Sequence, residues 1–206
     1  MAKNISKWPM LSIAAIFVIA FYCVFTFTSI ALFPTAFSPV QNYLSDLGNS
    51  SFSPKGAVFY NVGCILTGLA LFPFFAGLYK WYPSKRWRKL LLVATQILGL
   101  FSALSLVMIG VFSEDYMAQH LFWSEVFFIF NLAVLFFANI SLITDRRFIR
   151  PIGYYGLIVA VINVLFLAFG STPLLEWFTV FTALGYVGLL AYNTHKISLL
   201  TKSFTK

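Results

Sequence analysis

Six long apolar segments dominate the sequence, and short polar segments separate them, at about residues 10–33, 56–79, 89–112, 120–143, 152–170 and 174–194. A helix needs about 20 consecutive apolar residues to cross the hydrocarbon core of a bilayer, and most of these segments exceed that length. The first segment should remain as a span, because it is far longer than the core of a cleavable signal peptide, about 7–15 residues. The pattern therefore predicts an all-α integral membrane bundle of six transmembrane helices, forming a single transmembrane domain over residues 1–206.

The longest predicted connection, at about residues 34–55, has the features of a short helix. Ser38-Pro39-Val40-Gln41 matches a capping box with proline at the first helical position, and Gly48 is suited to a left-handed helix end. Between these ends, apolar side chains recur at helical spacing, at Val40, Tyr43, Leu44 and Leu47. We expect an amphipathic helix over residues 39–47 that lies at the membrane surface or covers the bundle.

Small residues in the spans predict where helices pack closely. In the second segment they follow one another at intervals of seven, at Gly56, Gly63, Ala70 and Gly77. Seven residues are nearly two helical turns, so these positions share one face, and small residues let helix backbones approach each other in lipid. The same packing role is expected for Gly99 and Ala103 in the third segment and for Gly185 and Gly188 in the sixth.

The distribution of charged residues predicts how the chain is oriented in the membrane. Only 10% of the 206 residues are charged and the net charge is +8, whereas a soluble domain carries about 25% charged residues. Thirteen of the 14 basic residues fall in alternate segments, all but Lys55. Because Lys and Arg accumulate in cytoplasmic loops, the distribution predicts a multi-pass cell-membrane protein with both termini in the cytoplasm. The acidic residues run the other way, with five on the outer side: Asp46, Glu114, Asp115, Glu125 and Glu176.

The same distribution excludes one class of partner. The basic residues lie in short loops between apolar segments and form no stripe with aromatic stacking partners, so we expect no nucleic acid partner. Membrane lipids are the expected partners, and no oligomeric state is implied.

Polar side chains gather on the outer side near the start of the fourth span. His120 and Ser124 are four residues apart and share a helix face. Glu125 lies within the apolar segment, where an acid costs about 2.5–3.5 kcal/mol at the bilayer centre and less near the interface. Two interpretations stay open for Glu125: it faces the interior of the bundle and finds a partner there, or it reaches water at the interface. His120 likewise suits a general base or metal ligand, or is an ordinary interfacial residue.

These residues define the candidate site. Ser45 and Asp46 on the predicted surface helix could fold over the cluster, or could form a polar face in water. The candidate catalytic residues are therefore His120, Asp46, Glu125, Ser45 and Asp115. A divalent cation is the one cofactor that the pattern suggests; an oxygen-rich calcium or manganese site fits better than zinc, which prefers several His or Cys ligands. The candidate metal ligands are Asp46, Glu114, Asp115, His120 and Glu125.

Three short motifs carry a family resemblance: Tyr43-Leu44-Ser45-Asp46-Leu47-Gly48, Asn61-Val62-Gly63, and the stretch from Glu114-Asp115 to His120. With them the chain, over nearly its whole length, resembles an uncharacterised six-span prokaryotic membrane family, domain-of-unknown-function family nine-nine-eight. That family is distantly similar to the eukaryotic Frag/DRAM/Sfk membrane proteins. The resemblance implies six spans and an outer polar signature at Ser45, Asp46, Asn61 and His120. It supplies no reaction, and the eukaryotic proteins suggest lipid handling by analogy alone.

Three functions are compatible with an outward-facing pocket of acidic and histidine side chains. The first is a lipid-headgroup-modifying or hydrolytic membrane enzyme. The second is a non-catalytic lipid-binding or scaffold protein. The third is a small cation or proton transporter, for which ionisable residues at mid-membrane depth would be expected. The sequence leaves the choice between enzyme and non-enzyme open.

Overall fold

The computed structural model describes residues 8–169 and 172–203, without the side chains of residues 201–203. Within these ranges the long helices are α1 Met10–Ala31, α2 Ala57–Ala76, α3 Arg86–Val111, α4 Met117–Leu142, α5 Arg150–Phe169 and α6 Pro173–Ser203. All six are long and apolar enough to span a membrane. The predicted all-α, six-span membrane fold is confirmed. Terminal lysines that support the predicted orientation, Lys3, Lys7 and Lys206, lie outside the described residues.

The helices form a closed ring. Each packs against its neighbours in chain order, and α6 completes the ring by packing against α1. Successive helices are antiparallel because short connections join them. All connections between α1 and α2, α3 and α4, and α5 and α6 therefore lie at one end of the ring, and the others lie at the opposite end.

Glycines set the close approaches between α1, α2 and α3. A Cβ atom on Gly63 would lie 2.5 Å from Phe25 of α1, and one on Gly77 would lie 2.7 Å from the backbone nitrogen of Leu11. The predicted packing role of the small-residue face in the second span is thus confirmed.

The two ends of the ring differ in charge, and we name them accordingly. The acidic end carries the carboxylates of Asp46, Glu114, Asp115 and Glu176. At the basic end, the connection from α4 to α5 is fixed by Asp145, whose Oδ2 lies 3.3 Å from Arg88 Nη2 and 3.0 Å from Arg147 Nη2. Burial acts to raise the pKa of Asp145, but the hydrogen bonds and charge of Arg147, together with the charge of Arg88, lower that pKa below its ordinary value.

The connection from α1 to α2 does not form the predicted helix. In place of a helix over residues 39–47, the chain makes a turn at 39–41 and then a four-residue 3-10 helix, Ser45–Gly48. The apolar positions in the second half are those that become fully buried, Leu44 and Leu47. We call residues 42–50, which cover the acidic end, the cap segment.

Local side-chain hydrogen bonds explain why the longer helix does not form. Asn42 Oδ1 accepts a hydrogen bond from the backbone nitrogen of Ser38 at 3.1 Å, and Asp46 Oδ2 accepts one from that of Tyr43 at 3.0 Å. Asn and Asp side chains that bind nearby backbone groups in this way offer the chain an alternative to helical hydrogen bonds.

Gly48 also differs from its prediction, because it does not adopt a left-handed backbone. It is needed for space: a Cβ atom there would lie 2.5 Å from Asn61 Oδ1. Asn61 Nδ2 donates a 3.0 Å hydrogen bond to the Gly48 carbonyl. This contact joins the cap segment to the first turns of α2.

Candidate functional site

A cavity of about 110 Å³ lies inside the ring. Side chains of α1, α2, α3, α4 and α6 line it, together with Leu78 after α2 and Ser45 of the cap segment. Among the described residues, α5 supplies none of the lining, although it packs against both α4 and α6.

The cavity is elongated along the helices. Its lining runs from Tyr60 to Leu78 in the second span and from His120 to Ala138 in α4. Each interval is 18 residues, or about 27 Å of helix at 1.5 Å per residue, which approaches the ~30 Å hydrocarbon thickness of a bilayer. Aliphatic and phenyl side chains dominate towards the basic end, including Leu71, Phe75, Leu135 and Leu190. Cavities with such walls stay dry or take an apolar guest.

The end of the cavity nearest the cap segment is polar, and His120 is part of it. Its side chain is 6% exposed, and Nδ1 lies 3.0 Å from the carbonyl oxygen of Phe112. A carbonyl can only accept a hydrogen bond, so Nδ1 carries the proton. In the neutral imidazole, Nε2 is then left as a hydrogen-bond acceptor.

Glu176 supplies a carboxylate to the same polar end. It lies in the first turn of α6 and lines the cavity. Its Oε2 accepts a hydrogen bond of 2.6 Å from the backbone nitrogen of Leu44 in the cap segment. Tyr22, Tyr60 and Cys64 line the same cavity as Glu176. Glu176 therefore connects the cap segment to a polar cluster inside the ring.

Two further carboxylates hold the cap segment in place. Glu114 accepts hydrogen bonds from Ser45 Oγ at 3.2 Å and from Asn49 Nδ2 at 3.1 Å. Asp115 Oδ1 accepts two from Ser50, at 3.0 Å from the backbone nitrogen and 2.8 Å from Oγ. These acids act as acceptors between the α3–α4 connection and the cap segment.

Only part of the predicted catalytic set reaches the cavity. Ser45 and His120 line it, whereas the Asp46 carboxylate is bonded to backbone within the cap segment. Asp115 and Glu125 are exposed and are not part of the lining. For Glu125, the structure agrees with the interfacial interpretation, because its side chain faces away from the interior of the ring.

The predicted cation site is not assembled in this structure. Within residues 8–169 and 172–200, no three side chains of His, Cys, Asp or Glu come together as metal ligands. The physical reason is that the five candidates face different ways: Asp46 and Asp115 are bonded to the backbone of the cap segment, and Glu125 is exposed. Binding of a divalent cation stays a prediction that the geometry does not support.

Several residues that line the cavity were not predicted from the sequence. Tyr60, Cys64 and Thr67 of α2 all do so, and their spacing of four and three residues places them on one helix face. That polar face in an apolar span was the available signal. Thr67 is 2% exposed, and its hydroxyl has no hydrogen-bond partner among the described residues. Glu176 was assigned an outer position but not a role in the site.

One protein family matches the chain over residues 13–193, and its description reads "Protein of unknown function (DUF998)". No curated protein matches the chain, and no solved structure matches it. The distant similarity to Frag/DRAM/Sfk proteins and a prokaryotic origin stay predictions.

Proposed function

The chain belongs to the DUF998 family of proteins of unknown function, and we propose that it is a membrane protein that binds an amphiphile with one apolar chain in its central cavity. The observation that carries this proposal is that one elongated cavity has a polar end beside the cap segment and walls that are mostly apolar over the rest of its length. The polar end would hold the head group, beside His120 and Glu176. The chain would lie along the apolar walls towards Leu190.

The head group and the chain of the amphiphile would contribute differently to the free energy of binding. Lipid tails are as apolar as the cavity wall, so a chain gains little hydrophobic free energy by moving from the bilayer into the protein. Shape and packing would therefore limit which chains fit. Hydrogen bonds and charge at the polar end would determine which head group binds.

An enzyme is less well supported than a binding protein. Acid–base chemistry needs its acid and base within hydrogen-bond reach of the substrate atoms that exchange protons, yet only His120 and Ser45 of the predicted catalytic set line the cavity. The candidate carboxylates are either bonded within the cap segment, as is Asp46, or exposed, as are Asp115 and Glu125. A modifying or hydrolytic reaction would require these groups to rearrange.

A cation or proton transporter is also less well supported. Transporters place ionisable groups near mid-membrane depth, whereas the acidic side chains that the structure describes lie towards the ends of the ring. The mid-depth polar groups of the lining, such as Thr67 and Asn131, are not ionisable.

Filling the cavity should abolish amphiphile binding. Ala183 lines the cavity in the middle of α6, so Ala183→Phe would place a phenyl ring where the chain would lie. We expect at least a tenfold loss of affinity, about 1.4 kcal/mol, for dodecyl amphiphiles. The measurement is native mass spectrometry of the detergent-purified protein during titration with dodecylamine, dodecanol and dodecanoate.

The matched control is Ala20→Phe, because Ala20 is exposed in the middle of α1 and does not line the cavity. This variant should bind as the wild type does. The proposal is wrong if the wild type binds none of the three amphiphiles, or if both variants bind equally well.

The orientation in the membrane is a second part of the proposal. We infer that the acidic end faces outwards and the basic end faces the cytoplasm. The basis is the positive-inside bias, since the basic residues of the described loops lie at the basic end except for Lys55.

A reporter fused after Lys206 should therefore be active in the cytoplasm, and one inserted at Ser51 should be active outside. Reporter activity in intact cells measures both. A C-terminal reporter on the outer side would contradict the orientation without affecting the cavity.

A further inference from the structure

Among the described residues, the lining of the cavity offers a carboxylate to a cationic head group but no Lys or Arg side chain to an anionic one. Among the described residues that line it, none is lysine or arginine, and the carboxylate present is that of Glu176. An anionic head group would therefore lose its water without gaining an opposite charge, which is costly in a medium of low dielectric constant. Phosphate and carboxylate heads are thereby disfavoured.

Nearby charges reinforce this preference. The acidic side chains of Asp46 and Glu114 lie in and beside the cap segment at the same end of the ring. The Leu44 backbone nitrogen uses one oxygen of Glu176. A carboxylate has about four lone-pair sites, so acceptor capacity for a guest remains.

The unpaired acceptors match the donors of one head group. In its neutral form His120 keeps Nε2 as an acceptor while Nδ1 is bonded to Phe112, and the second oxygen of Glu176 has no hydrogen-bond partner among the described residues. A protonated primary amine has three N–H donors and no acceptor, whereas an alcohol brings a single donor.

On the basis of the proposed function, we propose that the cavity selects long-chain amines: the ammonium group lies beside Glu176 and the chain extends past Thr67. The Glu176 carboxylate supplies the charge that distinguishes an amine from an alcohol of the same length. Chain burial alone would not make that distinction.

The test compares dodecylamine, dodecanol and dodecanoate at neutral pH, where the amine and the acid are ionised. Dissociation constants are measured by native mass spectrometry for the wild type, Glu176→Gln and Glu125→Gln. Glutamine keeps an oxygen that can accept from Leu44, so Glu176→Gln removes the charge while retaining the contact with the cap segment. Glu125→Gln is the isosteric control, because Glu125 lies outside the cavity.

We expect the wild type and Glu125→Gln to bind the amine at least tenfold more tightly than the alcohol or the carboxylate. Glu176→Gln should weaken amine binding about 10- to 100-fold, as for the loss of a charged hydrogen bond, and leave alcohol binding unchanged. If the wild type binds the alcohol or the carboxylate as tightly as the amine, amine selection is wrong and the amphiphile-binding function stands. If it binds none of them, the proposed function itself is wrong.

Discussion

Replacing Asp145 by alanine should lower the free energy of unfolding by about 1.5–3 kcal/mol, the range for a hydrogen bond to a charged group, because its ion pair with Arg88 is largely but not fully removed from water. The side chains of Asp145 and Arg88 are only 9% and 11% exposed. Without the carboxylate, the Arg88 guanidinium would stay buried with no opposite charge. Thermal and denaturant unfolding of the detergent-purified protein measure the loss.

Asp115→Ala is the control, because Asp115 is also bonded to its own loop but is exposed. Exposed interactions of this kind contribute about 1 kcal/mol or less. A loss of similar size in both variants would contradict a special role for the buried pair.

The contribution of Asp145 to the stability of the wild type should also be measurable as a dependence on pH. The pKa of Asp145 is lowered in the folded protein, so its contribution to stability is fully present above the unfolded value of about 3.9. That contribution is lost as the pH falls through the folded pKa. The wild type should therefore lose more stability below about pH 4 than Asp145→Ala does; equal losses would contradict the argument.

The spans could be predicted because every transmembrane helix must be apolar over the thickness of the hydrocarbon core. A segment such as Met10–Ala31 must be apolar over about 20 residues, and that requirement is visible without tertiary information. Close contacts between helices can also be recognised in the sequence, because small residues let the helix backbones approach each other. The face that carries Gly63 and Gly77 was therefore predictable, and it packs against α1 as expected.

The cavity could not be predicted, because apolar side chains face both lipid and interior in a membrane protein. Leu135 and Phe136 are neighbours in α4 and equally apolar in the sequence. Leu135 is 2% exposed and lines the cavity, whereas Phe136 is 52% exposed. In a soluble protein the alternation of polar and apolar residues would separate these two environments; here it is absent.

The site itself depended on helix rotation, which the sequence does not specify. Glu125 and Glu176 both lie in apolar segments near the acidic end. The short distance along the chain from Glu125 to His120 made Glu125 the predicted site residue, yet packing turns Glu125 outwards and Glu176 inwards. Leu44, the hydrogen-bond partner of Glu176, is 132 residues away in the sequence, so no local pattern could indicate the contact.

The close contact between α2 and α3 requires a residue without a side chain at Gly68. A Cβ atom on Gly68 would lie 2.8 Å from the Ala103 carbonyl oxygen and 2.9 Å from the Val107 backbone nitrogen. Backbone atoms cannot move aside unless the helices separate. Gly188 on α6 offers a contrast, since a Cβ there would meet only the flexible end of Ile19 at 3.2 Å.

Gly68→Ala should therefore destabilise the protein by about 1–3 kcal/mol, as overpacking does, although alanine is the better helix former by about 1 kcal/mol. Gly188→Ala should be neutral or stabilising by up to that amount, because the gain in helix propensity meets no backbone clash. Thermal unfolding of the two detergent-purified variants should show a loss of stability for Gly68→Ala and no loss for Gly188→Ala. If Gly68→Ala is as stable as the wild type, α2 and α3 can separate without cost, and the close packing of the ring around the cavity is not what stabilises it.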